Sequence, residues 1–302
     1  MLTTLATLAA LTLAPPQQGE TDTTVAVQAG ARLDVNNFGG EIAVRTWNQS
    51  NVRVRASHSS RSTVEVSTSS GTVFVRTKGR RGPPSIVDLD ITVPTWMGMA
   101  LEGVYTDITV EGAGGPVSAQ SVQGEISITG GVGTVAVKAV EGNVTLARTR
   151  GRIQVNAVEG DVRISDVVGE VTVETVDGDV TLLRMDSPNV AVGTVDGDIV
   201  YDGTIKDGGS YSLATHDGDI TVAIPPNASV RLSVASFDGD FDASFPVPLP
   251  DARDKHPHRF SITLGTGKAR LELETFDGDI RLRRPGELEA PDRDRNKNRN
   301  DN

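Results

Sequence analysis

The chain has 302 residues, a formal net charge of -11 and no cysteine. The lack of cysteine excludes disulfides, thiolate metal sites and a lipid-modified cysteine anchor. The acidic charge, with no compensating Lys/Arg stripe, argues against a nucleic-acid partner because it repels phosphate backbones.

Residues 1–22 are predicted to form a signal peptide and leader. Met1 to Ala14 is apolar and rich in small residues, as in a secretory signal. This stretch is shorter than the roughly 20 residues that a membrane-spanning helix needs. No Lys or Arg precedes it and Pro15 follows it, and both features are atypical. We expect an extracytoplasmic protein (periplasmic, cell-surface or secreted) with no transmembrane span.

Residues 23–110 are predicted to form a less regular β region that already carries copies of a later repeat. Phe38-Gly39-Gly40-Glu41-Ile42 is one copy, and Val104-Tyr105-Thr106-Asp107-Ile108 is another with Thr in place of Gly. These copies indicate that one architecture extends over most of the chain.

Residues 111–284 carry the regular repeat, whose clearest copy is Val176-Asp177-Gly178-Asp179-Val180. The central glycines of the copies are Gly124, Gly142, Gly160, Gly178, Gly197, Gly218, Gly239 and Gly278. The positions two before the glycine are apolar with one exception and are expected to face inward: Val122, Val140, Val158, Val176, Val195, His216, Phe237 and Phe276. The positions two after it are also expected to face inward: Ile126, Val144, Val162, Val180, Ile199, Ile220, Phe241 and Ile280. The residues directly flanking the glycine are mostly acidic or amide and should face water.

A second glycine lies midway between the first ones, at Gly133, Gly151 and Gly169, so each nine-residue unit holds one strand and one corner. Apolar residues two and four after these glycines have strand periodicity, and units of fixed period normally stack. The sequence therefore predicts an all-β fold, an elongated parallel β-solenoid (β-helix) with about 18 residues per coil. We expect it to be right-handed because parallel crossovers usually are. The alternative is an antiparallel meander, since Asp-Gly favours type I′ hairpins, but the midway corners lack that dipeptide.

Two segments interrupt or follow the repeats. Residues 246–258 are Pro-rich and charged, and they are predicted to form a loop insertion within the repeats. Residues 285–302 lose most apolar side chains and are predicted to form a disordered charged tail.

The sequence resembles the bacterial putative-adhesin family of β-strand-repeat domains of unknown function, over residues 24 to 283. The likeness lies in the opening strands from Leu33 to Val54, in the strand Val87 to Pro94, and in the Gly-Asp-Ile/Val corners that follow. The resemblance implies an extracytoplasmic β-solenoid associated with the cell envelope, and it brings no catalytic residues.

The acidic corners are the sharpest candidate site. Stacked corners would place aspartates roughly 4.8 Å apart, and carboxylate oxygens are suited to a hard cation such as Ca²⁺. The candidate metal ligands are Asp177, Asp179, Asp196, Asp198, Asp217 and Asp219. The structural alternative is that Asp and Asn beside Gly simply favour turns, and that like charges at this spacing in water cost only about 1 kcal/mol per pair.

No localised catalytic cluster is visible. Some parallel β-helices cleave polysaccharides with clustered aspartates, but here the acidic residues are evenly spread and aromatic residues make up 4% of the chain. We therefore expect a non-enzymatic, exported, adhesin-like β-solenoid that acts as a binding or structural scaffold at the cell envelope. Its partner would be an envelope or extracellular protein or glycan. The alternatives are a Ca²⁺-binding acidic-ladder module and a polysaccharide-active β-helix enzyme.

Overall fold

A computed structural model describes residues 18–82, 85–248 and 259–288. The described residues form 24 β-strands and no helix, so the predicted all-β class is confirmed. Hydrogen bonds join all of these strands into one long sheet in which most pairs are parallel.

Seven strands precede the regular repeats. They are β1 (Gln18–Ala26), β2 (Arg32–Trp47), β3 (Asn51–Ser59), β4 (Ser62–Ser69), β5 (Thr72–Gly79), β6 (Val87–Pro94) and β7 (Gly98–Ala113). The long strands β2 and β7 pair in parallel, and Ile42 lies opposite Ile108, which in turn lies opposite Ile126. The two early copies of the corner therefore stack on the regular ones. The antiparallel pairs at this end of the array are β1 with β3, β3 with β6, and β4 with β5.

Twelve strands form the repeat body. They are β8 (Val117–Gln123), β9 (Ile126–Gly130), β10 (Val132–Glu141), β11 (Val144–Ala147), β12 (Arg150–Asn156), β13 (Val162–Ser165), β14 (Val168–Glu174), β15 (Val180–Met185), β16 (Asn189–Gly193), β17 (Ile199–Gly203), β18 (Ser210–Ala214) and β19 (Ile220–Ala223). Alternate strands pair in parallel, because β10 pairs with β8 and β12 while β11 pairs with β9 and β13. The antiparallel meander is therefore excluded for this part of the chain.

The register within the body repeats the sequence period. Gly133 lies opposite Gly151, which lies opposite Gly169, and Val144 lies opposite Val162. Branched and aliphatic side chains from the two sets of strands bury themselves in one continuous apolar core, which no single short strand could form alone.

The last five strands depart from sequence order. They are β20 (Val230–Asp238), β21 (Phe241–Ala243), β22 (Arg259–Leu264), β23 (Ala269–Asp277) and β24 (Ile280–Arg283). Strand β23 lies between β18 and β20, and β24 lies between β19 and β21, so the Gly278 corner stacks directly on the Gly218 corner. The Gly239 corner is outermost, and β22 pairs antiparallel with β20 at this end.

The predicted burial of the corner columns is half right. The column two after the glycine is buried from Ile126 to Ile280, with Phe241 partly buried. The prediction that the column two before the glycine faces inward is wrong, because Val140 is 44% exposed and Phe237 is 67% exposed. The residue one step earlier, such as Ala139, takes the buried place, and strand alternation then turns the next side chain outward.

Several boundary predictions concern residues outside the described ranges. Residues 1–17 of the predicted leader, 249–258 of the predicted loop insertion and 289–302 of the predicted tail lie there. The last residues of the predicted leader, 18–22, belong to β1, which pairs with β3.

Candidate functional site: the acidic corners

The six candidate aspartates lie in two separate columns, one on each side of the corner glycines. Asp177, Asp196 and Asp217 precede the glycine and follow one another in isolated parallel bridges. Asp179, Asp198 and Asp219 follow the glycine and form the second column, which we call the inner column.

The inner column is a hydrogen-bonded ladder from side chain to backbone. The Asp198 N–H donates to Asp179 Oδ1 at 2.9 Å, and the Asp219 N–H donates to Asp198 Oδ1 at 2.8 Å. The ladder continues to Asp279 and Asp240 at one end. At the other end Asn143 Oδ1 accepts from the Asp161 N–H in the same way. The amide oxygen of Asn143 thus accepts the same kind of backbone hydrogen bond as the carboxylate oxygens of this ladder.

The outer column consists of the residues before the glycine and has different chemistry. Its acidic members are Glu141, Glu159, Asp177, Asp196, Asp217, Asp277 and Asp238. Their side chains are exposed, and among the described residues they have no hydrogen bond or ion pair. Within the described part of the chain the outer column is therefore a row of negative charge without a paired cation.

Glycine is required between the two columns. Gly178 has a φ of 134°, and a Cβ there would lie 2.4 Å from the backbone oxygen of Gly160. Neighbouring corners approach this closely because backbone hydrogen bonds join them, such as the Gly178 N–H to the Asp196 oxygen at 2.9 Å. The column of glycines is what allows the two acidic columns to stack.

Electrostatics distinguish the middle of the ladder from its end. Burial, with further contributions from the nearby charges of Asp198, Asp161 and Asp196, raises the pKa of Asp179 despite the hydrogen bond it accepts. At the end, Arg281 contacts Asp219 Oδ2 at 2.5 Å and Asp279 Oδ2 at 2.6 Å. The ladder is thus self-repelling in the middle and compensated by a guanidinium at one end.

A Ca²⁺ ion takes about six to eight oxygen ligands. Within residues 18–82, 85–248 and 259–288, no group of three or more acidic or histidine side chains is placed to hold a metal ion. The six aspartates are brought together in two columns of three across neighbouring corners, and their proposed role as cation ligands stays a prediction.

Sequence reasoning missed a buried hydroxyl column three residues before the glycine. Thr215 Oγ1 donates to the Gly197 oxygen at 3.1 Å, and Thr275 Oγ1 donates to the Gly218 oxygen at 3.0 Å. The recurrence of threonine at this position in the later repeats was the available signal.

Sequence reasoning also missed an exposed ridge beside the outer column. We call it the corner ridge, and in spatial order it consists of Val122, Val140, Val158, Val176, Val195, His216, Phe276 and Phe237. At its far end three rings are in contact: Phe276 and Phe237 are stacked with centroids 4.6 Å apart, and His216 packs on Phe276 at a tilt of 46° with centroids 4.7 Å apart. His216 is therefore an exposed member of this ridge.

An open groove of about 640 Å³ lies against the ring stack. Its floor follows the register from Gly193 to Ala214, Glu274 and Ala235 across four neighbouring strands. Small side chains make the floor low, and the three rings form one wall.

A second polar cluster is buried at the far side of the array, around two tyrosines. Burial raises the pKa of Tyr201 well above its usual value, and that of Tyr211 is also raised, chiefly by burial. The Tyr211 hydroxyl donates to the Ser187 oxygen at 2.7 Å and accepts from the Lys206 N–H at 2.9 Å. Its hydrogen-bonding capacity is used within the fold, which is typical of a structural cluster.

Among the described residues no helix has the length and hydropathy needed to cross a membrane. No curated protein matches the sequence.

Solved structures with similar chains are distant. A putative cell adhesion protein from Clostridium sporogenes is 12% identical, with a TM-score of 0.25 and coverage of 89% of this chain and 100% of the other. A putative adhesin from Bacteroides fragilis is 12% identical, with a TM-score of 0.42 and coverage of 88% and 98%. A putative lipid binding protein from Parabacteroides distasonis is 11% identical, with a TM-score of 0.36 and coverage of 87% and 96%. Likenesses at this level carry no argument about activity.

The family itself is shown by sequence. The model of the family described as Toastrack DUF4097 matches residues 17–283, which agrees with the resemblance drawn from the opening strands and the corners. The chain belongs to the Toastrack DUF4097 family.

Proposed function

We propose that this chain is a non-enzymatic, exported scaffold that binds a partner at the cell envelope. The observation that carries the proposal is the even, stacked corner, which repeats one exposed surface along the array. A surface of this kind suits extended contact with a partner, as in other repeat proteins.

The architecture we propose for the scaffold is a right-handed β-solenoid with about 18 residues per coil. The 18-residue offset between paired strands supports it, as between Val135 and Ile153 and between Val144 and Val162. A crystallographic map with a left-handed winding or another coil length would overturn this architecture.

We propose that the inner column serves the fold and that the scaffold is independent of cations. One oxygen of each inner-column aspartate is committed to the next corner, and Asn143 takes the same role without charge. A polysaccharide-active enzyme has less support, because the carboxylates of the corners are spread evenly along the stack.

Fractionation of cells that express the full chain with a C-terminal tag tests the proposal. We expect to find the chain in the extracytoplasmic fraction and crosslinked to envelope components. We also expect its N-terminus to be shortened by removal of a leader that lies within residues 1–22. An unprocessed chain found in the cytoplasm, or one that crosslinks to nothing in the envelope, would contradict the proposal.

A further inference from the structure

The corner ridge is an exposed, largely apolar surface that runs along the array. Its valines are 42–48% exposed, Phe276 is 48% exposed and Phe237 is 67% exposed. The outward positions of the neighbouring strands instead carry mostly polar or small residues, such as Gln154, Thr172 and Glu272. A contiguous exposed apolar surface of this kind marks an interaction site more often than isolated exposed residues do.

The ridge is richest in apolar surface where it meets the groove. Phe276 and Phe237 lie face to face with an angle of 5° between their rings, so their edges and the outer face of Phe237 meet the solvent. The low floor at Gly193, Ala214 and Ala235 leaves room beside them for an apolar side chain. Glu274 and Arg259 both line the groove, so the net negative charge beside the rings comes from the outer column.

Charge decides which partner fits the ridge. The carboxylates of the outer column, which have no partner among the described residues, lie along one side of the ridge. Neighbouring members such as Asp217 and Asp277 are joined by backbone β-bridges. A second copy of this chain would bring an identical acidic column, and phosphate-rich surfaces or acidic glycans would also be repelled. A neutral sugar binds through open ring faces, and the facing sides of Phe276 and Phe237 cover each other.

We infer that the corner ridge and its groove bind a basic amphipathic polypeptide segment of a partner protein. The apolar side chains of the segment pack on the ridge and into the groove, and its Lys or Arg side chains reach the carboxylates of the outer column. The eight ridge residues span seven strand spacings of roughly 4.8 Å, or about 34 Å, which an α-helix of about 22 residues would match. The inference rests on the proposed binding role and names the class of its partner.

Fluorescence anisotropy with purified protein tests the inference. The probe is a labelled synthetic helix of about 22 residues with Leu and Lys at amphipathic spacing. The comparison peptides are a shuffled Lys/Leu sequence and a Glu/Leu version. We expect binding of the amphipathic Lys/Leu peptide, weaker binding of the shuffled peptide, and no binding of the Glu/Leu peptide.

Variants of the ridge locate the contact. The double change Phe237→Val and Phe276→Val uses the residue that occupies this position in five other repeats, so the fold should persist. We expect it to weaken binding at least about tenfold, which corresponds to about 1.4 kcal/mol. The double change Asp217→Asn and Asp277→Asn should also weaken binding and reduce its dependence on salt. Val168→Ser, at an exposed valine of the opposite corner, is the matched control and should leave binding unchanged.

Several results would overturn the inference: no binding of the Lys/Leu peptide, equal binding of the shuffled peptide, or no loss with either double variant. Export and envelope crosslinking are measured separately. If the chain is exported but does not bind the peptide, only the inference is contradicted. If the chain binds the peptide but stays in the cytoplasm, only the proposed function is contradicted.

Discussion

Replacement of Asp179 separates the two roles of a carboxylate in the inner column, which are hydrogen-bond acceptor and negative charge. Asp179→Asn keeps the Oδ1 acceptor for the Asp198 N–H and removes the charge, as Asn143 already does elsewhere in the ladder. Asp179→Ala removes both.

The expected magnitudes follow from the stacking geometry. Two like charges roughly 4.8 Å apart in water repel by about 0.9 kcal/mol, and Asp179 has such neighbours on both sides in Asp161 and Asp198. Physiological salt roughly halves the sum, so Asp179→Asn should stabilise the fold by about 1 kcal/mol at neutral pH. Asp179→Ala gains the same relief but loses an acceptor worth about 1–3 kcal/mol, so it should be neutral to destabilising.

The pH dependence has a definite sign. The folded pKa of Asp179 lies above its ordinary value of 3.8, so the folded state binds its proton more readily than the unfolded state. The stability of the unmodified protein therefore falls, relative to the Asn variant, as the pH rises from 3.8 through the folded pKa. The advantage of Asp179→Asn should be full above that pKa and absent below 3.8.

Thermal unfolding followed by circular dichroism, across this pH range, measures both variants. A gain of about 1 kcal/mol at neutral pH corresponds to a rise in Tm of roughly 2–4 °C. Asp177 provides the control, because its carboxylate has no hydrogen bond or ion pair with any described residue, so Asp177→Asn and Asp177→Ala should behave alike. Equal destabilisation by Asp179→Asn and Asp179→Ala would refute the reasoning, since the charge itself would then be needed.

Three further predictions concern the glycine column, the end of the ladder and the buried tyrosines. Gly178→Ala should destabilise the fold by roughly 3–5 kcal/mol, because strain at a positive φ adds to a clash with the neighbouring backbone; a near-normal urea midpoint would disprove this. Arg281→Met should lower the free energy of unfolding by about 1–2 kcal/mol, and by more at low salt, because Asp219 and Asp279 lose their shared cation. Unfolding titrations at two salt concentrations measure this, and a loss of stability that does not depend on salt would contradict a role for the ion pairs. Tyr211→Phe should cost about 1–3 kcal/mol by orphaning buried backbone groups; an unchanged Tm would show that water replaces the hydroxyl group.

Much of the fold followed from local patterns in the sequence. Alternation two and four residues after Gly133 and Gly151 correctly predicted strands, and the corner columns correctly predicted which residues stack. The early copies at Ile42 and Ile108 also stack as predicted.

Two features could not be read with the same ease. The outward position of Val140 follows from strand parity, since Val135, Val137 and Ala139 are the buried residues, but its apolar character pointed the other way. The order of the last two corners in the stack is the second feature, since the Gly278 corner lies between the Gly218 and Gly239 corners. This order depends on long-range strand pairing, which the similar local sequences of the two corners do not determine.

Chemistry at the corners was harder to infer than their position. A column of Asp residues has the same sequence signature whether its oxygens meet a cation or the next N–H group. The structure assigns Asp179 Oδ1 and Asp198 Oδ1 to backbone N–H groups. The outer column, which has no partner among the described residues, and the corner ridge beside it were recognised only from the exposed fractions of their side chains in the structure.

The central claim is that hydrogen bonds between the acidic corners stabilise the scaffold without a cation. Thermal unfolding of residues 18–302 by circular dichroism, in EDTA and then in millimolar Ca²⁺, tests it most directly. The account predicts coincident unfolding curves, because the ladder oxygens already have partners in the backbone. A cation present at 100 times its dissociation constant would add about 2.7 kcal/mol. A rise in Tm of several degrees would contradict the account and make the acidic corners a cation-binding ladder.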